Sequence, residues 1–293
     1  MVSFTRASAL DLRQRVHSYC IQNGQPIGSQ VRVSTLHSLA LRTLRAAGLL
    51  TAYPADPLVM DSWELENVFD AEFGHAFGIG KVQREKIRLE HEAFWSTGQW
   101  GPPNYVQPRP AITQAERTQF AAFHSPRTQT YSCVLPGEIA RQCVTQMAAG
   151  ILNAVALLNI EHLVVDEFQD LNPMDLQFVD EMIAEGAQVF VAGDDDQSIY
   201  SFRFASPAGI QGFVAKYPHC GQHTLSACFR CTPSVLATGQ TLISANPQPN
   251  RILKSHVSLY AHAVPPLSGA THRWRFRNVS MKMRHEFAAI KEL

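Results

Sequence analysis

Two short, β-branched apolar runs stand out along the chain, at residues 163–165 (LVV) and 189–192 (VFVA), and each breaks into carboxylates at its C-terminal end. Runs of this length and character predict central strands of a parallel sheet, buried on both faces. Residues 174–184 separate them with helical periodicity, so the stretch from His162 to Ala205 reads as a βαβ unit. Ligands of open α/β sheets sit beyond the carboxyl ends of the strands, and Asp166, Glu167, Asp194 and Gln197 are therefore expected around one crevice.

The flanking pattern is more varied. The opening VSFTRASALDLRQRV predicts a short strand and an arginine-rich helix, capped either by Thr5 or by a Ser8–Asp11 box. VRVSTLHSLALRTLRAAG predicts a strand, a turn and an amphipathic helix closed by Gly48. Residues 63–77, 82–94 and 114–123 read as helices, interrupted by Gly101-Pro102-Pro103 and by the prolines between Pro108 and Pro110. LPGEIARQCVTQMAAG then leads back towards the central strands, and residues 271–293 read as a strand followed by a helix.

Composition narrows the class. The 293 residues allow one large or two modest domains, and 45% hydrophobic content is ample for a core. The 25 basic and 25 acidic side chains cancel, which argues against a generic nucleic-acid binder. They are nevertheless segregated. No Lys or Arg lies between Glu161 and Tyr200, whereas Arg6, Arg13, Arg15, Arg32, Arg42 and Arg45 face only Asp11 in the first fifty residues. An acidic centre with basic flanks suits a metal–nucleotide site beside a phosphate-tracking surface. Cys228 and Cys231 have C-x-x-C spacing with no second pair, so the six cysteines are expected to be buried, reduced thiols rather than zinc ligands. No stretch is apolar enough to span a bilayer and no signal-peptide pattern opens the chain, so a cytoplasmic protein without membrane partners is expected.

The spacing in VVDEFQD has a chemical reading. In a nucleotide hydrolase the first acid after the strand, Asp166, holds Mg²⁺ through its water shell, and Glu167 faces the γ-phosphate as the base for the attacking water. Asp-Glu alone after an apolar run most often just ends a strand in a solvated turn. Here VDEFQD is followed by GDDDQSIYSFR, and the two together resemble motifs II and III of superfamily 1 DNA helicases of the UvrD/Rep type.

That resemblance implies an incomplete RecA-like α/β core with a helical insertion and the start of a second RecA-like domain. Its boundaries are residues 1–50 and 156–225 for the core, 51–155 for the insertion and 226–293 for the second domain. It implies ATP and Mg²⁺ as cofactors, single-stranded DNA as partner, and translocation with 3′ to 5′ polarity. Phe4, Thr5 and Arg6 fall at motif Ia, and Thr35, His37 and Ser38 at a backbone-contacting TLHS segment. Gln197 would sense the γ-phosphate. Tyr200 and Phe202 would stack on bases, Phe202 standing where the family usually has the larger Trp, and Arg203 would contact phosphate. TLSACFRCTPSVLATGQ resembles motif IV, with Arg230 as a finger reaching the γ-phosphate.

One departure matters. GHAFGIGKV fails as a phosphate loop, because GxxxxGK[ST] needs Gly at His75 and Ser or Thr at Val82. No other candidate occurs in the sequence. The expectation is negligible ATP hydrolysis by these residues alone, with a sheet edge left open beside residues 163–165. The alternatives are a remnant that binds single-stranded DNA or a partner, or one half of a split enzyme whose P-loop comes from a second chain.

Overall fold

The computed structural model describes residues 1–26, 31–53, 56–101, 111–135, 137–246, 251 and 253–257. They fall into two units, Met1–Pro218 and His219–Leu293.

The first unit is built on a parallel sheet of order β2-β1-β5-β6, comprising β1 (Val2–Ser3), β2 (Ser34–Thr35), β5 (His162–Val165) and β6 (Gln188–Val191). Parallel neighbours need crossovers. α1 (Arg6–Gln22) supplies the one from β1 to β2, and α9 (Pro173–Ala184) the one from β5 to β6. Thr5 caps α1 by accepting from the Ser8 N–H, which leaves the Ser8–Asp11 box unformed. Arg13 ties the helix back to the sheet by donating to the Val33 carbonyl at 2.8 Å. α2 (Leu36–Ala46) follows β2 directly and buries Leu36, Leu39, Ala40 and Leu44 on the side packed against α7 (Glu138–Ala148) and α8 (Ala154–Leu158), and α7 in turn packs on α9. Fully buried Phe178, Val179 and Met182 of α9 join this core with Leu163 and Val165 of β5.

Between α2 and α7 the chain builds a separate layer. β3 (Leu58–Val59) pairs in parallel with β4 (Cys133–Val134), and the helices α3 (Ser62–Glu64), α4 (Asp70–Phe77), α5 (Lys81–Thr97) and α6 (Gln114–Tyr131) lie between them in sequence. Residues 63–77 are thus not one regular helix, since Leu65–Phe69 forms a π-type turn between α3 and α4. Gly78 ends α4 at φ 66°, a left-handed conformation that costs glycine little. The layer has its own core of Phe69, Phe73, Ile87, Phe120 and Phe123. Arg88 is buried there with its Nε bonded to both Asp70 oxygens, at 3.0 and 2.9 Å.

Two expectations are corrected. Strand β5 has neighbours on both sides: β6 pairs along its whole length, and β1 pairs at Val2–Val165 with the Asp166 N–H donating to the Val2 carbonyl at 3.0 Å. The edges of the sheet are β2 and β6, and beyond β6 no strand lies among the described residues. β6 is accordingly not a buried central strand, and its Phe190 is 59% exposed.

In the second unit β7 (Ala227–Cys228) pairs in parallel with β8 (Ser255–His256) across α11 (Pro233–Ser244). Arg251 closes α11 by donating to the Ile243 and Asn246 carbonyls, groups that a helix end otherwise leaves unsatisfied. The strand and helix expected over residues 271–293 lie outside the described residues. The thiols also diverge from expectation: Cys133 and Cys143 are buried, but Cys20, Cys220, Cys228 and Cys231 are partly exposed.

Candidate functional site

The carboxyl ends of β5 and β6 carry the acidic motifs, as a parallel sheet requires. Asp166 follows β5 immediately, and burial, then the neighbouring Glu167 charge, raise its pKa above the ordinary carboxylate value. Glu167 adopts φ 55°, ψ 46°, a left-handed conformation unusual for a residue with a side chain and one that recurs at functional sites. This turn directs the chain into a short 3₁₀ segment, Phe168–Asp170, and Phe168 sinks into the core against Phe213 of α10 (Ala208–Lys216).

Gln169 is the join between the two motifs. It is 1% exposed, and its Nε2 donates to Glu167 Oε2 at 2.8 Å. Its Oε1 accepts the Asp194 N–H at 3.0 Å, and its carbonyl accepts the Ser198 hydroxyl at 3.2 Å. The loop after β6 comes close enough that a Cβ on Gly193 would sit 2.5 Å from Gln169 Oε1 and 2.8 Å from Ile210 Cδ1. Gly193 is therefore needed for close approach. Gln197 lies on a 3₁₀ turn of that loop and donates to Asp194 Oδ2 at 2.6 Å.

Asp170, next to Gln169, is buried, and its Oδ1 has no hydrogen-bond partner among the described residues. Burial, then the Glu167 charge, push its pKa up to about 6. Two carboxyls with raised pKa values beside a third, one with an orphaned oxygen, form a donor set that a hydrated divalent cation would suit. Carboxylate oxygens of Asp194, Asp195 and Asp196 also lie within 4.8 Å of one another, at a partly exposed turn.

The structure gathers the aromatic residues from distant parts of the sequence. Phe4, at the end of β1, lies 5.1 Å from Tyr200 between ring centroids, and Tyr200 lies 5.7 Å from Phe202. The Arg203 guanidinium stands 5.8 Å from the Phe4 ring centre. Phe202 is 62% exposed and Phe4 also packs on the core, so the group is anchored at one end and open at the other.

Other expected site residues are placed differently. The Thr5 and Thr35 hydroxyls accept the Ser8 and Ser38 N–H groups as helix caps. Arg6 is the exposed first residue of α1. His37 turns towards α9, its Nε2 3.9 Å from Oδ1 of the fully buried Asp175, whose pKa burial raises. Arg230 is exposed and belongs to the second unit.

Residues 145–218, which hold both acidic motifs, match the UvrD/REP helicase N-terminal domain. Over these residues the chain is similar to the UvrD/REP helicases. It is 27% identical over 267 residues to DNA helicase II of Salmonella typhimurium and 26% identical to DNA helicase II of Escherichia coli, each alignment covering 84% of this chain and 34% of the relative. ATP-dependent DNA helicase PcrA of Staphylococcus aureus is 24% identical over 270 residues, covering 84% of this chain and 33% of the relative. The chain thus spans about a third of the length of the UvrD/REP relatives it matches. Its parallel sheet, with helices joining successive strands, is consistent with a RecA-like helicase domain. No helix among the described residues is long and apolar enough to cross a membrane.

Sequence reasoning passed over Gln169, Asp170 and Asp175. The only available signal was that Gln169 and Asp170 lie inside VDEFQD, and it says nothing of burial.

Proposed function

We propose that this chain carries the motif II and III machinery of an ATP-dependent DNA helicase that moves along single-stranded DNA. The carrying observation is Gln169, which bonds the Glu167 carboxylate on one side and the loop bearing Gln197 on the other. A base and a nucleotide-sensing loop must move together if hydrolysis is to be coupled to translocation, and one buried amide holding both provides that coupling. Asp166 would hold Mg²⁺ through water, with Asp170 nearby, and ATP-bound Mg²⁺ supplies electrophilic polarisation of the γ-phosphate. Glu167, steadied by Gln169, accepts a proton from the attacking water. Gln197 reads the γ-phosphate, and Arg230 is the phosphate-contacting arginine of the second unit. Tyr200, Phe202 and Phe4 offer the base-stacking surface, with Arg203 on phosphate. Residues 51–155 form the insertion subdomain of the first RecA-like domain, and residues from 226 begin the second.

The 293 residues contain no GxxxxGK[ST] spacing, which favours a second reading: without a P-loop from another segment they act as a single-stranded-DNA-binding module. The test is hydrolysis of ATP with and without DNA. These residues alone are expected to show none above background. Addition of a segment bearing the P-loop is expected to restore turnover that Glu167→Gln removes. DNA-stimulated turnover by these residues alone, sensitive to Glu167→Gln, overturns the P-loop requirement; unchanged turnover in the Glu167→Gln variant overturns the base assignment.

A further inference from the structure

We propose that the cleft between α5 and α6 binds a small planar aromatic molecule that carries a single carboxylate. Phe94 and Trp95, three and four positions after His91, share one face of α5, and Arg117, Phe120 and His124 recur at i, i+3 and i+7 on α6. Trp100, just beyond α5, completes the wall. Together they line a cavity of about 540 Å³, a volume in the range of small-ligand sites. None of the described residues lining it is an Asp or a Glu.

Arg117 supplies the charge. Its guanidinium lies 4.2 Å from the Trp100 ring centre, a cation–π contact that uses the flat face of the group. The edge of the group, with its fork of N–H donors, is the part that matches a carboxylate. Among the described residues no carboxylate pairs with Arg117, and its Nε is buried without a hydrogen-bond partner. The acids on and beside these helices are engaged elsewhere. Glu116 closes the α6 capping box with Thr113, Glu138 bonds His124 Nε2 at 3.1 Å, and Glu90 accepts the Gly101 N–H at 2.8 Å. A charged donor left unpaired beside an aromatic wall is costly, and an incoming carboxylate offsets that cost.

The walls are held in place by contacts of their own. Trp100 and Phe94 stack with ring centres 4.3 Å apart and 9° between planes, and the Arg141 guanidinium lies 4.1 Å from the Phe94 ring centre. His91 stacks on Phe120 at 3.9 Å. Its Nδ1 lies 3.0 Å from the Ile87 carbonyl, which only accepts, so Nδ1 carries the proton and Nε2 keeps a lone pair. Burial lowers the His91 pKa to about 4, so the ring is neutral at pH 7 and adds no second charge. Arg117 is thus the one permanent cation among the described residues lining the cleft. Such a site matches a monoanion, whereas a triphosphate brings more negative charge than it meets. Walls fixed beforehand also lower the cost of ordering the site around a ligand.

The test titrates the intact chain at pH 7 with indole-3-acetate and with its uncharged isostere indole-3-acetamide, read by saturation-transfer NMR, with thermal melts to check that each variant is folded. Saturable binding of the acid is expected, and binding of the amide about tenfold weaker, because the amide offers Arg117 no charged partner. This comparison needs no variant. Arg117→Gln should remove the difference between the two. Ala121→Trp, at an exposed position lining the cleft, should abolish binding of both with little change in melting temperature. Equal binding of acid and amide, a preference that survives Arg117→Gln, undiminished binding in Ala121→Trp, or no saturable binding at all overturns the proposal. So does displacement of indole-3-acetate by a thymidine oligonucleotide, which would assign the cleft to nucleic acid instead.

Discussion

Gln169 shows how much a single buried amide can hold. Both its side-chain oxygen and its nitrogen are used, on Asp194 and Glu167, in a place that water does not reach. Gln169→Ala leaves the Asp194 N–H and a Glu167 oxygen without that partner. A loss of ~1–3 kcal/mol in unfolding free energy is expected, read as a lower denaturant midpoint at unchanged m. Gly193→Ala should lose comparable stability by pushing Gln169 aside, and a neutral result for both would mean that the bridge contributes nothing. Asp170 makes a prediction in pH. Its folded pKa, about 6, lies above the ordinary value of 3.8, so the folded state binds the proton more tightly. Stability from this group is complete below the ordinary pKa and falls as pH rises towards 6, with a slope of at most about 1.4 kcal/mol per pH unit. Asp170→Asn should flatten that part of the stability profile relative to the unmodified chain and raise stability at pH 7. A steeper profile in the variant would contradict the assignment.

At the scale of elements, β6 carries the liability. Its Gln188 N–H donates to the carbonyl of Glu161, just before β5, and the Ala192 N–H just beyond β6 donates to Val165, so the alternate groups of Val189 and Val191 point away from the sheet. Phe190 adds exposed apolar surface on the same strand. An uncovered parallel edge with an outward Phe is a template for association. The chain is expected to self-associate as concentration rises, and Phe190→Lys to reduce this in sedimentation measurements with less than about 0.5 kcal/mol of lost stability. Identical sedimentation of the two proteins at all concentrations would show that β6 is not the sticking point. The caps illustrate a trade at the same scale. Thr35 was expected on the DNA backbone, yet its hydroxyl already serves α2, and Thr35→Ala should cost ~1 kcal/mol of stability whatever it does to binding.

For the whole molecule, a net charge of zero means that DNA affinity must come from local surface rather than from overall attraction. If Phe4, Tyr200 and Phe202 form the stacking surface, binding to single-stranded DNA should be weak, indifferent to sequence and weaker at higher salt. Tyr200→Ala or Phe202→Ala should then lose ~1–3 kcal/mol of binding at unchanged salt slope, while Arg203→Ala should lower the slope by about one. Filter binding across a salt series reads both. Aromatic variants that bind as the unmodified chain does, while remaining folded, would remove these rings from the DNA track.

The sequence by itself determined the βαβ unit and the order of its motifs, because apolar period and strand-end carboxylates are local properties written in consecutive residues. The strand bounds at 163–165 and 189–192 lie within a residue of β5 and β6. Which strand would be the edge was not local. Only the tertiary pairing of β1 with β5 decided that Val165 is covered and Phe190 is not, since the partner, Val2, lies more than 150 residues away. The same holds for Phe4 beside Tyr200, for His37 against Asp175, and for Gln169, whose role exists only where two loops meet. Residue types announce what chemistry is available. Burial and long-range contact settle where it can act, because desolvation and hydrogen-bond geometry depend on neighbours that the chain brings together only on folding.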